Sequence, residues 1–113
     1  MNIVVLQGVV NRPAEVRELA DGTTLALLDV ATETATGRLV VPVAWPAPDR
    51  ALPKDGAEVV VTGQVRRRFF RAGGGTQSRT EVVADAVVPA RSRARVRRAV
   101  DDAVAQVLEP ASR

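Results

Sequence analysis

The feature that most constrains this chain is a succession of β-patterned apolar runs, each stopped by turn residues, from Asn2 to Val88. Asn2–Val10 closes at Asn11-Arg12-Pro13, and Glu15–Leu19 continues as a strand or short extension to Asp21-Gly22. Thr24–Thr34 turns at Gly37 into Arg38–Trp45, while Glu58–Phe70 stops at Gly73-Gly74-Gly75 and returns as Thr76–Val88. Asp-Gly and Gly-Gly between such runs are hairpin signals, because glycine accepts the positive φ that tight turns demand. Alternation is clearest in Glu58–Phe70. Val59, Val61 and Val65 fall on one face there, and Thr62, Gln64, Arg66, Arg68 and Phe70 on the other. Pro46, Pro48 and Pro53 argue against a regular helix between Pro46 and Gly56. Five strands on short connections predict a small all-β barrel, since closure removes exposed edges. Pro42, inside Arg38–Trp45, removes one ladder donor and predicts altered pairing at that point.

After Pro89 the period changes. Val96, Val100, Val104, Val107 and Leu108 recur at helical spacing and predict an α-helix from about Arg93 to Leu108 with one apolar stripe. The 113 residues thus divide into a barrel at 1–89 and a basic helix with a short tail at 90–113. Charge follows the same boundary. Lys54 and the arginines up to Arg79 balance the carboxylates up to Asp85, so the net charge of +3 belongs to the C-terminal segment. Arg91, Arg93, Arg95, Arg97, Arg98 and Arg113 outnumber Asp101, Asp102 and Glu109 there. Positive charge at a helix start opposes the macrodipole by about 0.3–1 kcal/mol per residue. Two readings follow. In one these arginines meet an anion, nucleic-acid phosphate first; in the other they form a solvated face while the valine stripe packs on the barrel or a second subunit, and the two are compatible.

Cysteine and histidine are both absent. That removes disulfides, thiolate zinc sites, cysteine nucleophiles, Ser-His-Asp triads and histidine general bases together. No paired carboxylates stand out from the scattered charges, so the expectation is a non-enzyme with no catalytic residue, no metal and no cofactor. The N-terminus lacks a basic region and no segment is apolar for long enough to span a bilayer, which predicts a cytoplasmic protein. Lys54 is the sole lysine beside many arginines, alanines, valines, glycines and prolines, a composition that suggests a GC-rich bacterial genome.

The order of several motifs resembles the bacterial single-stranded DNA-binding protein (SSB) family. Met1-Asn2-Ile3-Val4-Val5-Leu6-Gln7-Gly8 is similar to its first strand, and Pro13-Ala14-Glu15-Val16-Arg17 to its P-x-E-x-R element. Val30-Ala31-Thr32, Val43-Ala44-Trp45, Gly63-Gln64-Val65-Arg66-Arg67-Arg68 and Glu81-Val82-Val83-Ala84-Asp85 follow in the family's order, over residues 2–89. The resemblance implies a five-stranded OB-fold barrel with an added C-terminal α-helix. It also implies a single-stranded DNA partner and a role in replication, recombination or repair. A homo-oligomer is expected, a tetramer before a dimer. Single-strand binders combine basic grooves with aromatic stacking faces, and the resemblance assigns Arg66, Arg68, Phe70 and Trp45 to that surface. Arg17 and Lys54 are further phosphate candidates, and Arg91, Arg93 and Arg95 extend the surface. Without the resemblance Trp45 reads more readily as a core residue at the barrel end. Phe69, of opposite parity to Phe70, is expected in the core or at an interface.

The pattern also departs from the family. Two stacking positions fall on Thr36 and Leu39, and an often basic one on Val41. The absence of two stacks removes about 2–6 kcal/mol of binding per subunit, so weaker DNA binding is expected than in a replicative relative. Glu109-Pro110-Ala111-Ser112-Arg113 is not the acidic, hydrophobic-tipped tail that recruits partners in replicative members, and such recruitment is not expected. The aromatic share of only 3% and a nearly neutral barrel keep a second reading open: a protein-interaction module of primosomal type with weak or lost DNA binding.

Overall fold

A computed structural model describes residues 1–109; of the helix and short tail expected at 90–113, residues 110–113 lie outside the described residues. The strands are β1 (Val4–Val10), β2 (Glu15–Glu18), β3 (Thr24–Thr34), β4 (Gly37–Pro46), β5 (Glu58–Ala72) and β6 (Gly75–Pro89). One helix follows, α1 (Arg93–Leu108). The sheet order is β1-β5-β6-β4-β3-β2, and a further β1–β3 pairing closes five long strands into a ring. β4 and β6 run parallel, and the remaining neighbours are antiparallel. The fold is the expected OB-fold barrel with a C-terminal helix. β2 stands outside the ring, paired only with β3 from Glu15↔Leu27 to Glu18↔Thr24. The β3–β4 register runs through Asp29↔Pro42 without a shift, so Pro42 does not alter the pairing there.

Valine alternation builds the core. Val59 and Val61 of β5 point inward beside Val10, Leu28, Val43 and Trp45, all 2% exposed or less. A bulge between Thr62 and Gly63 leaves Asp85 unpaired and switches the parity of β6, so Val87 and Val82 both reach the core. Gly63 is required at this point, because a Cβ there would collide with the carbonyl oxygen of Val83.

The opposite face of β5 and β6 is also covered at the barrel end. Val60, Thr62 and Val88 are buried although they face away from the core, and α1 packs against these two strands. The helix buries Ala99 and Ala103, which brings its axis close to the strands. The expected valine stripe is therefore displaced. Val96 and Val100 are half-buried, whereas Val104, Val107 and Leu108 are exposed. Ser92 makes no side-chain cap bond and the first turn holds no carboxylate, so the arginines at the helix start are uncompensated by a local cap. Among the described residues no helix is long and apolar enough to cross a membrane.

Candidate nucleic-acid interface

Beyond the barrel, β5 and β6 continue as a two-stranded arm. β6 pairs with β4 only at Val82 and Val83, and the β1 ladder on β5 ends at Val4↔Gly63. Asn2 adds a side-chain rung: its Oδ1 accepts from Val65 N at 2.9 Å and its Nδ2 donates to Val65 O at 2.7 Å. From Arg66↔Glu81 to Ala72↔Gly75 the two strands pair only with each other. Gly73 and Gly74 close the arm with φ of 60° and 81°, the two positive values of a type I′ turn.

Directly opposed residues of an antiparallel pair share a face. Arg66, Arg68 and Phe70 therefore lie together with Glu81, Arg79 and Gln77. Glu81 is the centre of this face. Arg66 Nη2 donates to its Oε2 at 2.5 Å and Arg68 Nε to the same oxygen at 3.3 Å, while Arg79 Nε lies 4.0 Å from Oε1. The carboxylate side chain is 3% exposed, whereas each of the three guanidinium side chains keeps nearly half its surface in solvent. Burial pushes the Glu81 carboxyl up, but hydrogen bonds and charge from Arg66 and Arg68 outweigh it and hold the group below its ordinary value. The Arg68 guanidinium sits 5.5 Å from the Phe70 ring centroid, a cation–π pair that presents the ring beside positive charge. Three cations around one carboxylate leave this face basic, with Phe70 38% exposed.

Trp45 departs from its expected role. It is 2% exposed and packed in the core, in register with Ala26, which is itself fully buried. The indole occupies the room that a small opposing residue leaves, and offers no face to a base. Period two in β4 already groups Trp45 with Val41 and Val43, and that alternation prevails over the motif resemblance. Phe69 is not in the core either. It projects from the other face of the arm, 65% exposed.

The remaining candidates divide. Arg17 on β2 is held by its neighbour Glu15, Nη2 to Oε2 at 3.2 Å. Lys54, Arg91 and Arg95 converge with Arg50 on one cleft at the barrel end remote from the arm. Arg93 borders a different depression, beside Gln7, Arg97 and Asp101. The sequence reading missed Arg79 and Glu81 as members of the arm. Pivoting the hairpin about Gly73-Gly74 would have found both, since that turn alone fixes Arg66 opposite Glu81 and Arg68 opposite Arg79.

Comparison with solved structures places this architecture. A Plasmodium falciparum SSB, solved in complex with ssDNA, superposes with a TM-score of 0.64 at 18% identity, over 79% of this chain and 94% of that one. The two share a fold. No protein-family model matches the chain, and no curated protein matches its sequence.

Proposed function

We propose that this chain binds single-stranded DNA without catalysing a reaction on it, and that the outer face of the β5–β6 arm makes the contact. The observation that carries this reading is the joint placement of Arg66, Arg68, Arg79 and Phe70 on one exposed strand face. Phosphates would take the guanidinium edges turned away from Glu81, and a base would stack on Phe70. A structural neighbour that was solved with ssDNA supports the same reading. Single-stranded DNA is a partner that needs no metal or cofactor here, and replication, recombination or repair is the setting in which it arises. A homo-oligomer of cytoplasmic SSB type, a tetramer before a dimer, belongs to the proposal as well. It would multiply arms that are individually poor in stacking faces.

One observation favours the interaction-module reading: Glu81 already engages Arg66 and Arg68 and so lowers the positive charge that they offer to phosphates. Fluorescence anisotropy of fluorescein-labelled oligo-dT, read at low and moderate salt, separates the two. Saturable binding that weakens with salt, and that falls further in Phe70→Ala, supports DNA binding. Its absence at low salt leaves the interaction module.

A further inference from the structure

The barrel end opposite the arm holds a second basic feature of different chemistry. A cleft of about 550 Å³ opens between the 50–57 loop, the ends of β5 and β6, and the start of the helical segment. Its floor is aliphatic: Leu52, Pro53 and Ala57 from the loop, with Pro89 from the end of β6, all half-buried. Its rim carries Arg50, Lys54, Arg91 and Arg95 against one lining carboxylate, Glu58, which accepts from Gln7 Nε2 at 3.3 Å. Arg50 also has Asp49 3.8 Å away, while no carboxylate among the described residues pairs with Lys54, Arg91 or Arg95. Val59 and Arg68 are separated by about 30 Å of strand, so the cleft and the arm are distinct surfaces.

We propose that this cleft docks an acidic peptide segment that carries a branched aliphatic side chain among its carboxylates. Charge complementarity selects an anionic occupant, and the floor selects its class. Trp45, Phe69 and Phe70 are the aromatic residues of the chain, and none of them lines the cleft, so it offers no stacking face to a nucleobase. An aliphatic floor instead accepts a leucine or valine side chain, while the flexible cations of the rim reach carboxylates on either side of it. Lys54, Arg91 and Arg95 have no carboxylate partner among the described residues, which fits docking steered by charge and held by apolar contact. This assignment is independent of DNA binding by the arm.

The test is fluorescence anisotropy of a fluorescein-labelled Asp-Glu-Leu-Asp-Glu peptide with the full chain. Saturable binding is expected, weakened at least about tenfold both in Lys54→Glu/Arg95→Glu and when glycine replaces the peptide leucine. Both substituted side chains lie on the rim, and an unchanged melting curve confirms that the variant folds. Saturating oligo-dT is expected to leave the peptide bound. The proposal is overturned by any of four results: no saturable binding, equal binding of the glycine peptide, indifference to the rim substitutions, or displacement by oligo-dT. The last would make the cleft a phosphate surface for nucleic acid.

Discussion

Arg66 and Glu81 face each other across the β5–β6 ladder and are joined by a 2.5 Å hydrogen bond, the cation half-exposed and the carboxylate buried. A buried carboxylate is tolerated only when its charge is matched, and here Arg66 and Arg68 both donate to one of its oxygens. The same bonds fix two long side chains that would otherwise sample many rotamers. Glu81 is thus the positioning residue of the arm. It orients the cations and lowers the net charge they present.

Acid sensitivity follows from the direction of the Glu81 shift. Its carboxyl is held below the ordinary value in the folded protein, against about 4.3 in the unfolded chain. The stabilisation is therefore complete above that ordinary value and lost as pH falls through the lowered folded one. Replacing Glu81 by Gln should cost about 1–2 kcal/mol at pH 7, kept modest because the arginines are half-exposed. Urea unfolding at pH 7 and pH 3 should show this difference shrinking in acid. An unchanged gap would mean that the ion pairs add nothing to stability.

Trp45 makes the protein its own reporter of core integrity rather than of DNA. Its emission should be blue-shifted, protected from acrylamide in the folded state, and unchanged by oligo-dT at concentrations that saturate a labelled oligonucleotide. Trp45→Ala should destabilise the fold by about 3–5 kcal/mol. Quenching by oligo-dT would contradict the buried position.

Gly63 tests the bulge. A methyl group at this position meets the backbone of Val83 and Ala84, which cannot swing aside as a side-chain tip would. Gly63→Ala should lower the unfolding free energy by about 3 kcal/mol, read from thermal or urea melts. A neutral result would show that the strands separate there at little cost.

Helix docking depends on two small residues. Ala99 and Ala103 are buried against the strand pair, so Ala103→Asp should undock α1, at about 2–3 kcal/mol, by placing a carboxylate in an apolar environment. Limited proteolysis should then cut within residues 93–108, which the parent protein protects.

Most of the fold is legible in the sequence because it follows from period and punctuation. Thr24–Thr34 and the helix at Arg93–Leu108 have the expected limits, and the hairpin glycines lie at the predicted turn. Side-chain partnerships across strands are less legible. Glu81 carries no local sign of its burial, which arises only once the hairpin brings Arg66, Arg68 and Arg79 around it. Trp45 is the opposite case: motif likeness points it toward DNA, while the alternation that pairs it with Val43 points it correctly into the core. The cleft joins Arg50 and Lys54 to Arg91 and Arg95 from segments far apart in sequence, a convergence that only the closed barrel creates.

Photocrosslinking tests the central claim most directly. Oligo-dT carrying 5-iododeoxyuridine should, on irradiation with the full chain and peptide mapping, attach to the segment that contains Phe70. The crosslink should fade in Arg66→Ala/Arg68→Ala, with a salt slope shallower by about 0.7 for each phosphate no longer neutralised. Crosslinks confined to residues outside the β5–β6 arm, or none under saturating conditions, would contradict the account.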